Sequence, residues 1–182
     1  MKKCRVCKKQ FNQFNSLQSV CSPTCAHKHG QFKVAKERAE HARVERKLMR
    51  VRRQLIKTPS DLKREAQVPF NKYIRLRDHL EPCISCQRHH SGQYHAGHYI
   101  SVGASGSLRF NEDNCHKQCS ACNNHLSGNI VHYRVNLIGK IGIRKVEKLE
   151  HDHEIKRYTR EELIEIKRKY SKKARDLEKE LN

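Results

Sequence analysis

Eight of the nine cysteines in this 182-residue chain fall into two sets of paired knuckles, and that pattern limits its possible folds more than any other feature. Cys4-x2-Cys7 and Cys21-x3-Cys25 make one quartet, with 13 residues between its knuckles. Cys83-x2-Cys86 and Cys119-x2-Cys122 make the other, with 32 between. Zinc takes four thiolates in a tetrahedron, and two closely spaced pairs supply them with little chain to order. The spacing predicts two structural Zn²⁺ sites. The alternative is free buried thiols, which seldom come as paired knuckles. Cys115 is left over and reads as a buried thiol. A site closed by four thiolates has no open position and catalyses nothing by itself.

The rest of the composition explains why staples are needed. Aromatic residues make up 6% of the chain, there is no Trp, and 32% of residues are charged. A chain this polar builds a thin core, and small domains with thin cores lean on metals or disulfides. The chain as given opens MKKCRVCKKQ with no apolar run behind its lysines, and no stretch approaches the roughly 18 apolar residues of a membrane span. The expectation is a cytoplasmic protein with no membrane partner. In a reducing compartment, paired cysteines read as metal ligands before disulfides.

The formal net charge is +20, unevenly spread. Residues 1–26 carry five basic residues and no acid, and residues 27–77 carry sixteen basic against five acidic. Such an excess favours an anionic partner, and nucleic acid is the common one, because each neutralised phosphate releases counterions. A merely solvated basic surface is the plainer alternative.

Four segments follow. Residues 1–29 form an N-terminal Cys4 zinc finger. Residues 30–77 form a basic helical segment with an apolar stripe at Val44, Leu48, Val51 and Leu55. Thr58-Pro59-Ser60-Asp61 breaks that helix and caps a short one, and Pro69 opens a further stretch placing Phe70, Tyr73, Ile74 and Arg77 on one side. Residues 78–150 hold a small zinc-stapled module rich in Cys, His and Gly. Residues 151–182 form a C-terminal helix, started by the capping box Thr159-x-x-Glu162, with a stripe at Leu163, Ile166, Tyr170, Ala174, Leu177 and Leu181. That stripe suits either the body of the protein or a second subunit. Lys47, Arg50, Arg52 and Arg53 on the basic helix are candidate DNA-backbone contacts, of the kind that position without reading sequence.

Between the second pair of knuckles lie His95-Ala96-Gly97-His98 and Asn114, and Asn123 follows the last cysteine. This arrangement is similar to that of HNH nucleases, which place a histidine between two zinc knuckles, an asparagine before the second, and a polar metal ligand just after it. In the phage endonuclease VII family that ligand is the asparagine directly after the cysteine, the position of Asn123. More widely, FNKYIRLRD, CISCQRHHSGQYHAGHY, LRFNEDNCHKQCSACNNHLSGN and VHYRVNLI resemble the NinG/Rap recombination nucleases of lambdoid phages over roughly residues 65–150. The resemblance implies an α+β fold: a ββα-metal (HNH, His-Me finger) module with long flanking basic helices. It implies His98 as general base, Asn114 holding the base's loop, and Asn123 as a ligand of catalytic Mg²⁺ or Mn²⁺. The activity implied is structure-selective cleavage of branched DNA, Holliday junctions and D-loops, in the cytoplasm of a bacterial host. A homodimer and other recombination proteins are the implied partners.

The chemistry asks for these residue types independently. Phosphodiester hydrolysis needs a base with a pKa near neutrality and a cation on the phosphate and leaving oxygen. One departure stands out. The endonuclease VII pattern has an aspartate just before the base histidine, and here that position is Gly97. His95 is the nearest substitute ligand, with Asp113 another carboxylate at hand, and a nitrogen ligand would favour Mn²⁺. His125 is a candidate phosphate contact, Asn129 a weaker one. His89, His90, His116 and His132 read as surface or packing residues, and His151 and His153 have no assigned role. Two other readings stay open: a non-catalytic zinc-finger DNA-binding protein, and a sequence-specific nuclease, for which no base-reading element is evident.

Overall fold

A computed structural model describes residues 1–152 and 154–181. His153 and Asn182, both within the predicted C-terminal segment, lie outside the described residues. The chain divides into two compact units, Met1–Ile56 and Lys57–Asn182.

In the first unit, β1 (Lys2–Lys3) and β2 (Gln10–Phe11) pair antiparallel, Lys2 opposite Phe11. A 33-residue helix, α1 (Pro23–Leu55), follows. The sequence predicts this helix only from residue 30. It starts earlier because Ser22, in extended backbone, accepts a hydrogen bond from the Cys25 amide, and Pro23 stands at the first helical position, where a missing N–H goes unneeded. Among the described residues of this unit only Cys4 and Cys25 are buried. The stripe Val44, Leu48, Val51 and Leu55 is more than half exposed throughout.

The second unit runs α2 (Pro59–Arg77), β3 (Tyr94–His98), β4 (Cys115–Cys119), α3 (Ile130–Ile141), α4 (Ile143–Glu150) and α5 (Arg160–Glu180). A 3-10 turn lies at Ser107–Phe110 and a π-helical turn at Ala121–His125. Both α2 and α5 begin with complete capping boxes, Thr58/Asp61 and Thr159/Glu162. The two helices pack on each other. Leu62, Ala66, Phe70 and Ile74 recur every fourth residue on α2 and meet Leu163, Tyr170 and Ala174 of α5. The Phe70 and Tyr170 rings stand edge to face, 4.8 Å apart.

One expectation is corrected here. Pro69 does not open a separate helix but sits inside α2. An internal proline costs roughly 3 kcal/mol, and the four buried side chains of α2, two on either side of it, offset that strain. Of the two places the sequence leaves open for the α5 stripe, it takes the body of the protein: Leu163, Tyr170 and Ala174 are buried within the unit, and Ile166 packs against the cluster of Phe70, Ile74 and Tyr170. Of the two long helices, α1 falls in the first unit and α2 in the second.

β3 and β4 form an antiparallel hairpin, with His95 opposite Gln118, Gly97 opposite His116 and His98 opposite Cys115. Side chains alternate between faces. Ala96 and Cys115 turn toward Phe70 and Ile74 of α2. On the other side, Tyr133 of α3 donates a hydrogen bond to the Gly97 carbonyl at 3.0 Å, within a core of Ile84, Tyr99, Leu108, Leu137, Val146 and Leu149. The hairpin is thus held between α2 and α3. Gly142, at φ 85°, takes the left-handed turn that joins α3 to α4. Arg77 clamps the start of β4: its guanidinium donates to the carbonyls of Glu112 and Cys115 and to Asp78, whose carboxylate accepts the Lys117 amide at 3.0 Å. Among the described residues, no helix is long and apolar enough to cross a membrane.

Candidate functional site

Both predicted cysteine quartets assemble. The sulfurs of Cys4, Cys7, Cys21 and Cys25, and those of Cys83, Cys86, Cys119 and Cys122, each lie within 4.8 Å of one another. In the first, Cys21 Sγ stands 3.4 Å from Cys7 Sγ and 3.7 Å from Cys25 Sγ. Zinc–sulfur bonds of about 2.3 Å place sulfurs roughly 3.8 Å apart in a tetrahedron, so the donor sets fit structural zinc.

The first knuckles are alike in detail. The amide of Lys8 donates to the Cys4 carbonyl and that of Gln87 to the Cys83 carbonyl; the amides of Cys4 and Cys83 donate to Lys9 and Arg88 carbonyls. Lys8 and Gln87 both have positive φ, 62° and 53°. Sulfur acceptors are also satisfied alike: the Cys21 amide points at Cys4 Sγ (3.4 Å) and the Cys119 amide at Cys83 Sγ (3.3 Å). The second cluster has an outer layer as well. His90 Nε2 lies 3.2 Å from Cys86 Sγ, and Asn129 Nδ2 donates to Cys122 Sγ at 3.6 Å. His90 and Asn129 thus support the cluster, a role that spacing alone did not assign.

At the end of β3, His98 Nε2 lies 2.9 Å from the Arg109 carbonyl. A carbonyl only accepts, so Nε2 carries the proton and Nδ1 the lone pair. Nδ1 stands 3.7 Å from Cys115 Sγ, and the imidazole stacks on Phe70, centroids 6.2 Å apart. Burial pulls the His98 pKa below the ordinary histidine value, against the hydrogen bond to Arg109. Burial thus disfavours the charged imidazolium. Cys115 is fully buried, and burial pushes its thiol pKa far up.

Asn114 is fully buried. Its side chain accepts from the Ile100 amide and donates to the carbonyls of Ile100 and Leu108, tying together the connection that leads from His98 to β4. Asn123 sits in the turn after the last knuckle and makes no helix cap. It lines, with His98, an open cleft of about 590 Å³ whose floor also includes Ala96, Tyr99 and Gly128.

The other candidates are scattered. His95 lies three residues before His98, and its Nε2 is buried without a partner. His125 is exposed. Asp113 is engaged in an ion pair with Lys145 at 3.0 Å and does not line the cleft, so it is no stand-in ligand there. His116 is buried against the Tyr133 hydroxyl, and His132 pairs with Asn129. Lys47, Arg50, Arg52 and Arg53 are exposed on α1 in the first unit, where Arg46, Arg50 and Arg53 share one face. Sequence reasoning passed over Gln118, which is fully buried on β4 with its Oε1 unpartnered. Its only advance sign was a polar side chain wedged between Lys117 and the Cys119 knuckle.

No solved structure matches the chain. The family described as bacteriophage lambda NinG protein matches residues 1–180. Protein ninG of Escherichia phage 933W is 41% identical over 191 residues, covering 97% of this chain and 93% of that protein. Protein ninG of Salmonella phage P22 is 42% identical, covering 94% and 90%, and protein ninG of Escherichia phage lambda is 42% identical, covering 94% and 89%. Matched along nearly its whole length by both the family and these relatives, the chain belongs to the NinG family of lambdoid phages.

Proposed function

We propose that the protein is a metal-dependent, structure-selective DNA endonuclease acting on branched recombination intermediates such as Holliday junctions and D-loops. The hairpin β3–β4 and the turn after it serve as the ββα-metal (HNH) module. The observation that carries this reading is His98, oriented through Nε2 by the Arg109 carbonyl and lining the same cleft as Asn123. A histidine held this way is suited to take a proton from water. Asn123, with His95 as the further candidate, would hold Mg²⁺ or Mn²⁺, which supplies charge to the phosphate and the leaving oxygen. The basic face of α1 supports backbone binding without sequence readout. Symmetric cutting of two strands calls for a homodimer. Other recombination proteins are further partners under this reading.

A second reading, a DNA-binding protein without catalysis, is favoured by one observation: Gly97 stands where a carboxylate ligand is expected. One experiment separates the two. A synthetic four-way junction and a matched duplex are incubated with the protein and Mg²⁺, Mn²⁺ or EDTA, beside His98→Ala and the triple variant Arg50→Ala/Arg52→Ala/Arg53→Ala. The expected result is metal-dependent junction cutting, lowered about 10²–10⁴-fold in His98→Ala with binding intact. The triple variant should bind more weakly and with a shallower salt dependence. Binding without cutting under every metal would overturn the nuclease reading in favour of the second.

A further inference from the structure

We infer that Gln118 supplies the metal-ligating oxygen that position 97 lacks, so that Gln118 Oε1 and Asn123 Oδ1 together form a carboxylate-free site for a hard divalent cation. This rests on the nuclease reading for its purpose and on the following geometry for its placement. Gly97 and Gln118 lie on the same face of the hairpin, two residues apart in register, since Gly97 stands opposite His116. A Cβ built on Gly97 would overlap Gln118 Oε1 and stand 3.0 Å from Asn123 Oδ1. The two amide oxygens therefore converge on the space that a side chain at position 97 would fill.

The orientation of the Gln118 amide is not arbitrary. Its Nε2 donates to Ser85 Oγ and to the Gly128 carbonyl. Ser85 Oγ itself donates to that carbonyl at 3.2 Å. Turning the amide over would set Oε1 against a carbonyl oxygen, so the network forces Oε1 toward Gly97. There it is fully buried and meets no donor. A buried amide oxygen left unmatched is destabilising, and a cation is one way to satisfy it. Asn123 Nδ2 is likewise engaged, donating to Asn124 Oδ1 at 2.7 Å, which leaves its oxygen for the same space. His95, directly across the ladder from Gln118, adds an unpartnered buried nitrogen on that face.

Two consequences follow from the chemistry. Amide oxygens are hard donors suited to Mg²⁺, Mn²⁺ or Ca²⁺, but they carry no charge. The site binds its cation weakly alone and more tightly once a DNA phosphate adds negative charge, so metal and DNA affinities are coupled. Gly97 is also explained: with Gln118 in place, an aspartate at 97 has no room.

The test uses full-length, zinc-loaded protein and NMR. Substoichiometric Mn²⁺ is titrated in while the side-chain NH2 signals of Gln118 and Asn123 and the Gly97 amide are followed for paramagnetic broadening. Those signals should broaden first. In Gln118→Met, which keeps the side-chain volume, the Mn²⁺ concentration needed should rise about tenfold or more. Gly97→Asp alone should disturb the site, and Gly97→Asp/Gln118→Ala should restore Mn²⁺ binding with a carboxylate. Zinc content and thermal melting report whether each variant folds, and the double variant keeps the inference open to refutation where Gln118→Met fails to fold. Broadening at Gln118 without any junction cutting would leave this site standing and sink the nuclease reading. Metal-dependent cutting with Gln118 and Gly97 signals untouched, or a double variant no better than Gly97→Asp, would overturn the site.

Discussion

The two cysteine clusters share a first knuckle down to its hydrogen bonds and its left-handed residue, yet they do different structural jobs. The N-terminal cluster closes with Cys21 and Cys25 at the start of α1, and beneath it there is no core: the two buried residues of that unit are themselves ligands. The second cluster closes with Cys119 and Cys122 at the end of β4, and it borders a hairpin already packed between helices. The same local device therefore creates structure in one unit and trims it in the other. In the first, the free energy of a bound metal would be folding free energy. In the second, a metal would fix only the end of the hairpin, while Phe70, Ile74, Tyr133 and Leu137 supply the hydrophobic stabilisation.

Removing zinc should break that comparison most visibly. With a strong chelator, or in Cys4→Ser with zinc present, amide protection over residues 2–22 should vanish while Leu62–Ile74 stay protected; hydrogen exchange with mass spectrometry reads both. Surviving protection in the N-terminal segment would mean that something besides metal holds it. The converse perturbation is Phe70→Ala. It empties a site touching Tyr170, Phe110 and the His98 ring, and should cost roughly 3–5 kcal/mol. Urea unfolding followed by exchange should show this in the second unit only, and an equal loss in the first would show that the two melt together.

The smallest effect sharpens the contrast through pH. His116 is almost fully buried, and burial, with a smaller repulsion from Arg77, lowers its pKa to about 3. An unfolded chain takes up this proton near pH 6.5 and the folded one does not. The stability it brings is whole above about pH 6.5 and is lost progressively as pH falls toward 3. His116→Gln should flatten the decline in melting temperature between pH 6.5 and 5, at matched zinc content, without altering exchange in the first unit. An unchanged slope would assign the decline to other groups.

What was legible in the sequence was what is local. Ligand spacing gave both cysteine quartets, and Thr58/Asp61 and Thr159/Glu162 announced two helix starts because capping is settled within four residues. What was hidden depends on partners distant in sequence. Nothing around Pro69 says that Leu62 and Ile74 will both be buried against α5, so a helix break looked cheaper than it is. The α5 stripe says that it must be covered, not by what. Arg77 reads only as sharing a helical side with Phe70, Tyr73 and Ile74, though it holds two carbonyls some 35 to 38 positions away. Gln118 was invisible for a further reason: its meaning lies in an atom without a hydrogen-bond partner, and an empty valence leaves no pattern in a string of letters.

The exposed length of α1 has a consequence for scale. At 1.5 Å per residue its 33 residues run about 50 Å, the rise of roughly fifteen base pairs of duplex. Under the DNA-binding reading, a basic helix of this length works as a ruler. If it lies along one arm of a branched DNA, affinity should grow with arm length up to about one and a half helical turns and then level off, making the size of the arm, as well as the presence of a branch, part of what the protein senses.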